Sequence, residues 1–116
     1  MGAGLAFKKS KSKKSSNGGA SFYRVPKTAK QMERHLKGIA NHWRIAILLL
    51  VSKEKGASVE NIASSLKGNF KTISEHLRRL SGAGLINKNY KGHNVVHSLT
   101  PYGERFVKFL TEFQNS

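Results

Sequence analysis

The sequence predicts a mainly α-helical domain with one small β-hairpin, an α+β arrangement of about five helices and two strands. Three observations predict it. Apolar residues recur three and four apart through most of residues 28–81, the spacing of a helical face. Five polar residues able to cap a helix, Thr28, Asn41, Ser58, Asn69 and Thr100, each stand just before such a segment. Two β-rich runs, 85–90 and 94–99, flank Lys91-Gly92-His93, where glycine permits a tight turn.

Residues 1–27 hold seven Lys and Arg, no acid, and many Gly and Ser. Such a stretch buries too little apolar surface to offset the entropy of ordering, so it is expected to be a flexible basic arm. Its KKSKSKK run at residues 8–14 suits a nucleic-acid-binding arm, a solubilising tail or an expression artefact. Phe22, Tyr23 and Val25 are apolar enough to dock on the domain or on a partner subunit, and Pro26 ends that extended piece. Thr28 then caps a helix running to 36 or 39, with Met32, His35, Leu36 and Ile39 on one side, a partly apolar face suited to packing across a dimer. Asn41 caps a helix over 42–53. Its Ile45, Leu48, Leu49 and neighbours are too apolar all round for a surface helix, which makes it the central core helix. Residues 53–58 form a polar loop.

The stretch 58–85 organises the rest. Ser58 caps a short helix whose Val59, Ile62, Ala63 and Leu66 share a face, and Gly68 is expected to take the positive φ that ends it. Asn69 caps a second helix over 70–81. Ile73, Leu77 and Leu80 are its buried stripe, and Lys71, Thr72, Glu75, Arg78 and Arg79 occupy the other side. Two short helices joined by a tight turn, the second rich in cations and hydrogen-bonding side chains, describe a helix-turn-helix, whose second helix lies in the DNA major groove. Gly82 and Gly84 are expected to stop that helix, and the hairpin that follows is its wing. Pro101 fits the first turn of a last helix, crowded by Phe106, Val107, Phe109, Leu110 and Phe113.

IANHWRIAILLL, KTISEHLRRLSGAGLI and KGHNVVHSL together resemble the ArsR-type winged helix-turn-helix transcriptional regulators, over residues 37–113. The ending LTPYGERFVKFL is similar to the related MarR and HxlR regulators. The resemblance implies a winged helix-turn-helix DNA-binding domain over 28–116. Asn41 and Arg44 fall where the family carries an Asp-Pro-x-Arg segment, with His42 in place of the proline. A histidine is frequent in the family at the place of His76.

The balance of 21 Lys and Arg against 6 Asp and Glu gives a formal charge of +15. Solubility of a small domain needs a magnitude of only about 2–8, so this excess points to a polyanionic partner. The absence of cysteine excludes disulfides, thiolate metal sites and cysteine redox sensing. No two of the five histidines stand four apart on a predicted helix. His93 and His97 do so on a predicted strand, roughly 13 Å apart at the strand rise, too far to chelate one ion unaided. No metal or other cofactor is expected. Six singly placed acids, Ser74 and His76 facing different ways, and no phosphate-cradling G-x-x-x-x-G-K-[ST] loop leave no basis for catalysis. The longest apolar run, residues 45–51, is too short for a membrane span, and no signal-peptide core follows the first basic residues, so a cytoplasmic, nucleoid-associated protein is expected.

Two functions fit. The first is a transcriptional regulator binding duplex DNA as a homodimer. Asn69, Phe70, Lys71, Thr72, Glu75 and His76 then stand at or near base edges, while Arg78, Arg79 and the wing-tip residues Lys88, Lys91 and His93 hold phosphates. Plainer roles exist for several: a hydrophobic contact for Phe70, half-buried packing for His76, a pair with Arg79 for Glu75, solvated charges for the wing. The dimer would use Met32, Leu36, Phe106, Phe109, Leu110 and Phe113. The alternative is a winged-helix RNA-binding or protein-interaction module without sequence-specific DNA recognition. Symmetry discriminates, since a regulator needs two copies one helical turn apart whereas an RNA module works as a monomer.

Overall fold

The computed structural model describes residues 24–116. The predicted basic arm as far as residue 23, including Phe22 and Tyr23, lies outside them. Five helices and one hairpin follow in the order α1 (Ala29–Ile39), α2 (His42–Lys53), α3 (Val59–Leu66), α4 (Phe70–Gly82), β1 (Ile86–Lys91), β2 (Asn94–Leu99) and α5 (Pro101–Gln114). All five anticipated caps are in place. Thr28 and Ser58 close reciprocal capping boxes with Gln31 and Asn61, Asn41 and Asn69 each accept from two first-turn N–H groups, and Thr100 accepts from Gly103 N–H.

The core is built around α2, where Ile47, Leu48 and Val51 are fully buried. Ile62 of α3, Ile73, Leu77 and Leu80 of α4, and Leu85 and Ile86 at the start of the hairpin close over it. Two buried histidines tie its edges. His35 Nδ1–H donates to Ala83 O at 2.7 Å, fastening α1 to the end of α4. His97 Nδ1–H donates to Ala57 O at 2.8 Å, beside backbone bonds from His97 N–H to Ala57 O and from Gly56 N–H to His97 O. Each is buried with a partner, as a polar group in a core must be.

The turn between α3 and α4 differs from expectation. Lys67, not Gly68, adopts the left-handed conformation at φ 57°, with Lys67 N–H bonded to Ser64 O and Gly68 N–H to Ala63 O. These are the two bonds of a Schellman ending, with lysine at the position glycine usually takes. Gly68 is needed for space instead: a Cβ there would stand 2.9 Å from Ile73 Cδ1 and 3.2 Å from the Trp43 ring. At the other end of α4, Gly84 takes φ 78° as expected, whereas Gly82 is still helical.

The hairpin pairs Ile86 with Leu99 through Lys91 with Asn94, leaving a two-residue loop, Gly92 and His93, with Gly92 at φ 64°. His93 is therefore in the turn and exposed, while His97 is buried in the ladder. They do not share the strand face that their spacing suggested, because β2 begins only at Asn94 and His93 belongs to the two-residue loop before it. Lys88 also leaves the predicted wing tip: it pairs with His97 in mid-ladder.

Candidate nucleic-acid interface

The outer face of α4, the N-terminal part of α2 and β1 enclose an open groove of about 1000 Å³, lined by Arg44, Lys71, Thr72, Ser74, Glu75, His76, Arg78, Arg79 and Lys88. Two causes in the sequence build it. The Ile73, Leu77 and Leu80 stripe pins one side of α4 to the core and turns the polar side outward. The hairpin register then sets Lys88 beside that outward side, while Lys91 and His93 stay at the exposed wing tip outside the groove. The groove collects five Lys and Arg against one carboxylate.

That carboxylate is occupied. Arg78 grips both oxygens of Glu75, Nε at 3.1 Å and Nη2 at 2.5 Å, and Arg79 Nε stands 3.4 Å from Oε2. The partner anticipated at four residues, Arg79, is thus the longer contact, and the two-toothed bond is to Arg78 three residues on. The Arg78 hydrogen bond is the main reason the Glu75 carboxyl is held below its usual range. Asn69 spends its side-chain oxygen on Lys71 and Thr72 N–H, which fixes the first turn of α4. Lys71, Thr72 and Phe70 are exposed at that turn.

His76 is half-buried at the floor of the groove. Its Nδ1 faces Arg44 Nη1 at 3.1 Å, and Arg44 Nε donates to Gly38 O at 2.6 Å. Burial first, then the charges of Arg44 and Arg79, hold the His76 ring below its ordinary titration range. Arg44 was not among the anticipated site residues. Its position in the Asp-Pro-x-Arg-like segment was the available signal.

The residues expected at a dimer interface divide in two. Phe106 and Leu110 pack partly into the core, whereas Met32, Leu36, Phe109 and Phe113 are exposed, the last two with stacked rings 5.6 Å apart. Met32, His35, Leu36, Tyr102, Phe106 and Phe109, with Lys27 and Arg105, line an apolar hollow of about 370 Å³ between α1 and α5. Lys27 Nζ donates to Tyr102 Oη at 2.6 Å and lies 4.3 Å from that ring's centroid.

The family model of bacterial regulatory proteins of the arsR family matches residues 42–88, spanning α2 through the first half of β1. That segment is similar to the helix-turn-helix of the arsR family. Solved structures share its architecture. The transcriptional repressor PagR of Bacillus anthracis is 28% identical with a TM-score of 0.64, covering 70% of this chain and 93% of its own. A homodimeric winged helix-turn-helix DNA-binding domain from Mycobacterium bovis, Mb0332, is 25% identical with a TM-score of 0.68, over 74% and 80%. HlyU from Vibrio cholerae, at 24% identity and a TM-score of 0.70 over 79% and 100%, shares the fold. A search of curated proteins returns no match. The family model and the solved structure of PagR are those of transcriptional regulators. The ArsR match ends before α5. Among the described residues no group of three His, Asp or Glu is placed to hold a metal ion, and no helix is long and apolar enough to cross a membrane.

Proposed function

We propose that this chain is a DNA-binding transcriptional regulator acting as a homodimer in the cytoplasm, with α4 in the major groove and the hairpin as wing. The observation that carries the proposal is the groove itself: five cations from α2, α4 and β1 converge on one open surface whose only carboxylate is already neutralised by Arg78. Lys71 and Thr72, exposed in the first turn of α4, stand where a helix entering the groove meets base edges, with Phe70 beside them. Arg79 and Lys88 flank them as phosphate contacts, and Lys91 and His93 extend the reach of the wing along the backbone. Glu75 acts here by orienting Arg78 and Arg79. The exposed Met32, Leu36, Phe109 and Phe113 supply the apolar face for a second copy, as the homodimeric neighbour makes natural.

The test combines sedimentation with binding of duplex DNA, single-stranded DNA and duplex RNA at one salt concentration. A dimer that prefers duplex DNA and enriches a two-fold-symmetric site from random duplexes is the expected result. A monomer that binds RNA as well as DNA and enriches no sequence would instead identify a general RNA-binding or interaction module.

A further inference from the structure

We infer that Arg44, on the core helix α2 and outside the helix-turn-helix, is a positioning residue that locks His76 as a hydrogen-bond donor, so that His76 selects an acceptor-bearing base edge. The inference rests on the function proposed above and adds to it a residue and a rule of recognition.

The chemistry of the pair decides the tautomer. A guanidinium has donors and no acceptor, so the atom facing Arg44 Nη1 at 3.1 Å must accept. His76 Nδ1 therefore carries no proton, and in the neutral ring the single N–H is on Nε2. The guanidinium is itself held from behind, since Arg44 Nε donates to Gly38 O at 2.6 Å. His76 Nε2 has no protein partner among the described residues, and no buried side-chain nitrogen or oxygen is left unpartnered, so this N–H is open to solvent in the groove that His76 lines. Protonating Nδ1 would set two donors against each other. The other charges on this ring come from Arg79 and Glu75 on α4 and His42 on α2, with Lys71, Arg78 and Lys88 around the same groove. Burial and the two arginines hold the ring neutral at neutral pH.

A neutral histidine free to choose its tautomer and ring flip offers DNA either a donor or an acceptor. One locked by Arg44 offers only a donor. In the major groove such a donor pairs with guanine O6 or N7, adenine N7 or thymine O4, and is refused by the cytosine N4 amino group. The core helix thereby imposes a base preference without touching DNA.

Two measurements test this. The first uses the full chain alone, labelled with ¹⁵N-histidine, in a long-range ¹H–¹⁵N imidazole spectrum at neutral pH. His76 should show the Nε2–H form, whereas His35 and His97, whose Nδ1–H groups donate to carbonyls, should show the opposite form in the same spectrum. An Nδ1–H or averaged signal from His76 would overturn the lock. The second selects sites from random duplexes with the unmodified chain, Arg44→Met, His76→Ala and the double variant. Arg44→Met and His76→Ala should relax the same base-pair position, each losing roughly ten- to a hundredfold in discrimination against cytosine, with the double variant no worse than His76→Ala alone. Arg44→Lys, which keeps a donor facing Nδ1, should retain both the tautomer and the preference, and serves where Arg44→Met does not fold. Equal weakening on every duplex with Arg44→Met, its preference intact, would make Arg44 a phosphate contact and overturn the inference. If the unmodified chain enriches no sequence, the proposed function fails and the base-reading role falls with it, while the spectrum still decides the lock.

Discussion

Phe109→Glu should abolish self-association while leaving the fold intact. Phe109 lies on α5 beside the hollow that Met32 and Leu36 share, and 56% of its surface is exposed in the single chain. For an aromatic side chain of roughly 200 Å² that is about 110 Å² open to a partner. At about 25 cal/mol per Å² its burial is worth about 3 kcal/mol, and a two-fold interface contains the contact twice. Association converts only part of such a sum into affinity, because ordering and desolvation oppose it. A loss of about half the total, roughly 3 kcal/mol, still weakens the dimer more than a hundredfold. The substituted carboxylate would also meet its own copy across the axis. Sedimentation over a series from sub-micromolar to tens of micromolar measures the change, and an unaltered urea midpoint for the monomer confirms that the side chain was outside the core. Were the unmodified chain monomeric throughout that series, or Phe109→Glu to associate as before, the assignment of this face would be wrong.

Lys71→Ala should cost about 1–3 kcal/mol on the preferred duplex and little on scrambled DNA, whereas Arg79→Ala should weaken both by similar factors; paired titrations at one salt concentration separate the two behaviours. Gly103→Ala should destabilise the domain by about 1–3 kcal/mol in urea denaturation despite its better helix propensity, because the added Cβ would stand 2.1 Å from the backbone oxygen of Leu85, which cannot move aside cheaply. Lys67→Gly should raise stability by about 0.5–1 kcal/mol, since it removes a non-glycine residue from φ 57°. Because the His76 ring titrates lower in the folded chain than its usual value of about 6.5, the unfolded chain binds the proton first as pH falls. Stability from this group is therefore full above about pH 6.5 and is lost as pH falls through the lowered folded value; His76→Gln should flatten the urea midpoint against pH on that acidic limb and leave it unchanged above.

What was legible in the sequence was what a few neighbouring residues decide. A capping side chain needs only the N–H groups two and three residues ahead, so Thr28, Asn41, Ser58, Asn69 and Thr100 announced every helix start. The stripe Ile73, Leu77, Leu80 likewise assigned the inner side of α4, and with it the outward Lys71, Thr72 and Arg79. Where two distant segments compete for one residue, local rules gave the wrong answer. Gly68 looked like the helix terminator because glycine tolerates positive φ, yet Trp43 and Ile73 crowd that position, and the left-handed turn moved back to Lys67. Lys88 looked like a wing-tip cation from its residue type in the first β-rich run; the actual ladder sets it opposite His97 and beside α4. The split of α5 into residues partly packed on the core and residues outside it could not be read from a helix apolar on several sides, since that depends on how the helix seats on the core.

The arginine and histidine at the floor of the groove show the same limit from the functional side. Arg44 and His76 are 32 residues apart, on helices whose sequences name no such contact, and half-buried packing was an ordinary explanation for His76 alone. Brought to 3.1 Å, they restrict one another: the arginine fixes which ring nitrogen can donate, and the ring engages one guanidinium nitrogen while Gly38 holds Nε. On the proposed function, recognition would therefore not reside in α4 alone. The helix that supplies the centre of the core also sets the donor on the groove floor, so a substitution at the polar end of α2 can alter base choice without contacting DNA. A change confined to the exposed wing tip, where Lys91 and His93 stand clear of the groove, should alter affinity on all sequences together.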